Sequence, residues 1–202
     1  MISLTRPRFI LQLTILLITS TFCQADDTTI FKTGFAGTPE LKPLVIFYSR
    51  TGTTRTLTLE LAKQLSWEVE EIFSRKNRHY LGTVTCVFDQ LFDRDGEVEP
   101  VKRDISEYNP LLIASPVWIH KISSPIRTII KESGLKGKDA FLVLTNNGNF
   151  DEEDLKGIRE GIISYGLSVK GCYPVCTRDK DEVTLRRDAH KIMENITSLL
   201  SE

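Results

Sequence analysis

Between Leu44 and Leu200 the chain alternates short apolar runs with longer segments whose apolar residues recur once per helical turn. LVIFYS, from Leu44, reads as a strand covered on both faces. Thr53 to Leu65 follows as a helix, with Leu57, Leu61 and Leu65 one turn apart. WEVEEIF predicts a second strand of imperfect alternation, and Tyr80 to Phe92 predicts a helix despite Gly82. DRDGEVEPVKRD, with Gly96 and Pro100, reads as a loop or a poorly regular crossing. PLLIAS (Pro110 to Ser115) is the third strand, PVWIHKISS a loop, and PIRTIIKES a helix that begins near Pro125 and ends at Gly134. DAFLVLT is the fourth strand and NNGNF the loop after it. DEEDLKGIREGIISYG then reads as a helix with acids at its positive end. LSVKGCYPV is the fifth strand. The last helix, Asp181 to Leu200, has Val183, Leu185, Ala189, Ile192, Met193, Ile196 and Leu200 on its apolar side.

Five strands alternating with crossover-length helices predict an α/β fold: a doubly wound, three-layer arrangement around an open five-stranded parallel sheet. No internal repeat or second domain is visible. Residues 43–202 form the domain, 26–42 a lead-in, and 1–25 a separate segment. Ligands of such sheets bind at the carboxyl edge near the switch point. SRTGTT, PVWIHKISS and NNGNF, after strands one, three and four, therefore belong together.

The first of these loops has the chemistry of a phosphate site. Ser49, Thr51, Thr53 and Thr54 offer four hydroxyls within six residues, and Gly52 lets backbone approach a ligand. The helix behind presents unpaired amides to the same point. Arg50 and Arg55 either add charge or face water. A phosphate monoester fits, whereas GxxxxGK[ST] and GxGxxG are both absent. The plainer reading is an ordinary hydroxyl-rich N-cap turn.

Phe47 to Thr54, FYSRTGTT, closely resembles the phosphate loop of the flavodoxin family. Ala114 to Ile130, ASPVWIHKISSPIRTII, resembles the flavin-side loop and helix of its broader branch. The resemblance spans about residues 43 to 200. It implies the strand order 2-1-3-4-5 with FMN at the switch point. The phosphate would lie among Ser49, Arg50, Thr51, Gly52, Thr53 and Thr54, and the ring beside Pro116, Val117, Trp118, Ile119 and His120. Trp118 would stand nearest the flavin, or else plug the edge of the core. His120 would donate to the flavin, or else be a solvated loop residue. Ile119 and His120 stand where the family commonly has a small residue or glycine. Asn146, Asn147, Gly148 and Asn149 would bond the pyrimidine edge, with Phe150 as a second wall; NNG is also good turn chemistry. The activity implied is redox, either electron transfer or reduction of a small acceptor. The alternatives are an NAD(P)H-dependent quinone or flavin oxidoreductase and a cofactor-free binding module on the same fold. A receiver domain would want acids after the first strand and Asp after the third, where SRTGTT and SPVWIH stand.

Composition narrows this further. The 202 residues, 41% apolar and 26% charged, are ordinary for one globular domain. The formal net charge is -1, and Arg6 and Arg8 are the only charges in residues 1–25, so the remainder carries -3. Neither value suggests a nucleic-acid surface or a strongly charged docking face. Partners would be a redox protein or a small acceptor, and the state a monomer or homodimer. No catalytic triad and no clustered metal ligands appear. Cys172 and Cys176, in GCYPVC, read either as an oxidisable pair in an exported protein or as separate, partly buried thiols.

The start of the chain reads as a secretory signal: Arg6 and Arg8, an apolar run from Phe9 to Phe22, and Ala25 before Asp26 and Asp27. Periplasmic or secreted location follows. An uncleaved anchor associated with a membrane, or a cytoplasmic protein if the segment is no signal, are the alternatives.

Overall fold

Leu44, Val45, Ile46 and Phe47 are at most 1% exposed, as a strand with helices on both faces requires. The computed structural model describes residues 41–75, 94–148 and 150–201. In chain order the elements are β1 (Leu44–Phe47), α1 (Thr53–Leu65), β2 (Glu68–Glu71), a 3-10 turn (Ile105–Glu107), β3 (Leu111–Trp118) and β4 (Lys121–Ile122). Then come α2 (Ser124–Glu132), β5 (Asp139–Asn146), α3 (Glu152–Ser164), β6 (Ser168–Cys176) and α4 (Glu182–Leu200). The order across the sheet is β2-β1-β3-β5-β6, all parallel, with β4 antiparallel to the end of β3. Apart from that short strand this is the expected 2-1-3-4-5 order. The expected helix Tyr80–Phe92 lies outside the described residues, as do residues 1–40.

Alternation along β1 divides the core. Leu44 and Ile46 join Ile126, Ile129 and Ile130 of α2 and Ile158 and Ile162 of α3. Val45 and Phe47 join Leu57 and Leu61 of α1 and Ala189, Ile192 and Ile196 of α4. Each fully buried Leu or Ile contributes about 1.5–3 kcal/mol. The α4 stripe is narrower than expected. Leu185, Ala189, Ile192 and Ile196 are buried, but Val183 is 74% and Leu200 40% exposed. Val183 is two residues from Leu185, about 200° around the helix, and so faces away from the sheet.

Local chemistry fixes the helix ends. Asp151 Oδ1 accepts from the Asp154 amide at 2.7 Å, and Asp181 Oδ1 from the Thr184 amide at 2.8 Å. Gly134, at φ 63°, follows the end of α2.

Residues 94–104 hold no regular element, as expected of a loop, but they are tied down. Glu99 N donates to Phe73 O at 2.8 Å and Arg75 N to Glu97 O at 3.0 Å, an antiparallel closure beyond β2. The buried Glu70 carboxylate then accepts from Lys102 N at 2.7 Å and Arg103 Nη1 at 3.0 Å, which ties the return segment to β2.

Membrane association through the N-terminus is corrected. Among the described residues, no helix is long and apolar enough to cross a membrane. The apolar run that suggested it, Phe9 to Phe22, has 14 residues, against the roughly 20 that a spanning helix needs.

Candidate functional site

β1 and β3 are neighbours, but the chain leaves them for opposite edges of the sheet. This is where a crevice opens at the carboxyl ends of the strands. The loop after β1 turns into α1 through Gly52, whose φ of 99° favours glycine. Gly52 N donates to Ser49 Oγ at 3.2 Å, and Gly52 O accepts from Thr56 N at 2.9 Å. Thr54 is buried, and its Oγ1 lies 2.8 Å from Thr145 Oγ1 of β5. Arg55 turns away and pairs with Glu71 of β2.

The second loop is a hairpin. β3 runs on through Pro116 and Val117 to Trp118, turns at Ile119 and His120, and returns as β4 with Trp118 opposite Lys121. Both turn residues have positive φ, 48° and 60°. That twist suits a two-residue hairpin, although a β-branched residue is rare there. Ser115 Oγ holds the base, 2.9 Å from Ser123 Oγ and accepting from Ser123 N at 3.0 Å. The expected irregular loop is therefore mostly paired backbone.

The third loop is tied to the end of β6. Gly148 N donates to Asn146 Oδ1 at 3.1 Å, Thr177 N donates to Asn146 O at 2.7 Å, and Arg178 Nε to Asn147 O at 2.8 Å. Thr177 Oγ1 lies 2.9 Å from Asn147 Oδ1.

These three loops surround a cavity of about 300 Å³. Arg50, Thr51, Thr53 and Thr54 line it from the first loop, Pro116, Val117 and Trp118 from the hairpin, and Asn146 and Asn147 from the third loop. Thr145 and Thr177 complete the lining, and neither was singled out in the sequence. The only signal for them is a hydroxyl residue at the carboxyl end of each of two parallel strands. Trp118 is partly buried, packed on the core, and meets the Tyr48 ring edge to face at 6.1 Å. It is thus both a core-edge residue and a cavity wall.

Other expected residues lie outside this lining. Ser49 and Gly52 shape the loop from behind. Ile119 is 46% exposed at the hairpin tip, and Phe150 packs on the core. Gly148 belongs to the turn after Asn146, and Asn149 lies outside the described residues. His120 Nδ1 pairs with Asp154 of α3. It borders a separate cavity of about 180 Å³ with Lys121, Arg127 and the Gly157–Gly161 face of α3.

Cys172 and Cys176 are both free and partly buried. Four residues apart on one strand, their Cα atoms are ~13 Å apart, too far for a disulfide. Burial pushes the Cys172 thiol up, away from the reactive thiolate. Among the described residues, no cluster of His, Cys, Asp or Glu could hold a metal ion.

No protein-family model matches the chain, and no curated protein matches it significantly. Solved structures do. A crystal structure of a flavoprotein in complex with FMN from Lactobacillus acidophilus NCFM is 22% identical, with a TM-score of 0.53, over 66% of this chain and 93% of that one. The NMR structure of the apo-form of the flavoprotein from the same organism is 23% identical, with a TM-score of 0.55, over 73% of this chain and 97% of that one. At such identities the likeness is one of fold, and together with the strand order it shows that residues from about Leu44 onward adopt the flavodoxin-like fold.

Proposed function

We propose that this protein binds FMN in the cavity between the three loops and works as a redox protein through the bound flavin. The observation that carries the reading is the polarity of that cavity. The first loop lines it with Thr51, Thr53 and Thr54 at the start of a helix, and the hairpin lines it with Trp118 and Val117. A phosphate accepts hydrogen bonds only, and the first loop offers hydroxyl and helix N-terminal amide donors with Arg50 beside them. A flat ring with apolar faces suits the indole and valine of the hairpin, with the Asn146–Asn147 backbone at its polar edge. The residues present therefore fit the group.

In this reading Thr51, Thr53, Thr54 and Arg50 hold the phosphate, Trp118 covers one face of the ring and excludes water, and the third loop orients the pyrimidine edge. Bound flavin supplies one- or two-electron chemistry. Electrons pass to a partner protein or a small acceptor, with the exposed hairpin tip at Ile119 beside the ring end. A member of the fold without a cofactor is the rival reading, in which the hydroxyls serve only the turn and the Thr54–Thr145 contact.

Titrating the apoprotein with FMN and with riboflavin tests the proposal. Clear preference for FMN is expected, because only FMN carries the phosphate. Equal affinity, or no binding of either, removes the reading.

Residues 1–25 we read as an export signal, from the Arg6 and Arg8 flank, the apolar run and Ala25. N-terminal sequencing of the protein from its native cell should begin at Asp26; recovery with Met1 intact would sink that reading.

A further inference from the structure

We propose that Thr145 is a positioning residue for the phosphate end of the cavity, acting through Thr54 so that the site tells a phosphorylated flavin from an unphosphorylated one. The inference rests on the FMN reading above. Thr54, in the first turn of α1, and Thr145, near the end of β5, are each 4% exposed, and both line the cavity. Their hydroxyl oxygens are 2.8 Å apart. Ninety-one residues of chain separate them, so the contact exists only because the fold brings β5 against the start of α1.

The proton arithmetic gives the bond a direction. Each hydroxyl has one proton to donate and two lone pairs. With no anion present, either threonine can be the donor. A phosphate accepts only, so it draws the Thr54 proton toward itself. Thr54 Oγ1 must then be the acceptor of the buried pair, and Thr145 its donor. The result is a chain from Thr145 to Thr54 to the anion, in which each bond polarises the next.

Thr145 also decides where the Thr54 hydroxyl points. A helical threonine divides between two rotamers, because its Oγ1 can turn back to a carbonyl three or four residues earlier. The contact with Thr145 holds the rotamer that faces the cavity. Without it, the Thr54 hydroxyl can turn back to the carbonyls of Thr51 or Arg50, in the loop before α1, and withdraw a donor from the phosphate. A flavin that lacks the phosphate is indifferent to this change.

The test is a comparison of ratios. Wild type, Thr145→Val, Thr145→Ser, Thr54→Val and the double Val variant are each titrated with FMN and riboflavin. Thr145→Val is expected to lower the ratio of riboflavin Kd to FMN Kd by about 5- to 10-fold, the worth of roughly one hydrogen bond. Thr145→Ser keeps the hydroxyl and should keep most of the ratio. In the Thr54→Val background, Thr145→Val should lower the ratio no further. If both ligands weaken equally in Thr145→Val, or its ratio does not move, Thr145 has only a packing role and the proposal is overturned. If wild type itself shows no preference for FMN, the phosphate reading fails and takes this proposal with it. A wild type that prefers FMN beside an unchanged variant removes the role of Thr145 alone. Should Thr145→Val not fold by far-UV circular dichroism, Thr145→Ala is judged by the same ratio.

Discussion

The Trp118 indole meets the Tyr48 ring edge to face, with centroids 6.1 Å apart and planes at 88°. Tyr48 is 1% exposed, so the fixed ring belongs to the core and the partly buried indole leans on it at the cavity wall. Aromatic pairs of this kind add about 0.5–1.5 kcal/mol beyond burial. Trp118→Ala should weaken FMN binding by roughly 10- to 100-fold, from lost burial and lost stacking together. The far-UV dichroism should stay native, because the residue ends β3 and does not lie in its centre. Unchanged affinity in a folded variant would place Trp118 away from the flavin.

Thr51 and Thr53 are expected to act on the phosphate alone. Replacing both with valine leaves two lining positions without hydroxyl donors. FMN affinity should fall by roughly 10- to 100-fold, with a much smaller change for riboflavin. Calorimetric titration of the two ligands measures the difference, and parallel losses would contradict the assignment.

Gly52→Ala tests the turn and not the space around it. A Cβ there meets no atom within 4 Å, so any cost comes from the backbone φ of 99°. Thermal unfolding should show a loss of about 1–2 kcal/mol. A melting temperature equal to that of wild type would show that the loop relaxes to another conformation.

Asp181 gives a pH dependence of defined sign. Hydrogen bonds from the Thr184 hydroxyl and amide hold its carboxyl below the usual 3.8. Its contribution to stability is therefore full above about pH 4 and fades as pH falls through the lower folded value. The melting-temperature gap between wild type and Asp181→Ala should be constant near neutrality and close on acidification below pH 4. Asp181→Asn keeps an acceptor at the cap and should show little of that pH trend.

The layer structure was legible because burial on both faces leaves unbroken apolar runs such as LVIF, while α1 and α4 repeat Leu57–Leu61 and Ala189–Ile192–Ile196 at helical spacing. The β3–β4 hairpin was not legible. Its turn is Ile119–His120, with none of the Asn-Gly chemistry that marks such turns, and its pairing is read only from backbone bonds. Two expected apolar residues of α4, Val183 and Leu200, proved exposed, because hydrophobicity alone does not say which side of a helix meets the sheet. In the candidate site, the hydroxyl-rich loop and Trp118 stood out locally. Thr145 and Thr177 did not, since each looks like the polar end of a strand until the fold sets the carboxyl ends of β5 and β6 at the same cavity as the first loop. Arg55 shows the reverse case. Its sequence position leaves it either beside the phosphate or facing water; β2 offers Glu71, and the ion pair holds it at the surface, away from the cavity.

The antiparallel closure between Phe73–Arg75 and Glu97–Glu99 bears on how this chain can be rewired. Two backbone bonds and the Ser74–Val98 bridge bring the flanks of the intervening stretch side by side. Ring-closure entropy grows only slowly with length, by about 0.6 kcal/mol for each doubling. The closure itself therefore depends little on the length of chain between Arg75 and Arg94, whereas Asp95 and Gly96 are held to α2 by Arg127, Lys131 and Thr128. A change of chain length placed before Arg94 would leave the pairing of Phe73–Arg75 with Glu97–Glu99, and with it the end of β2, in register.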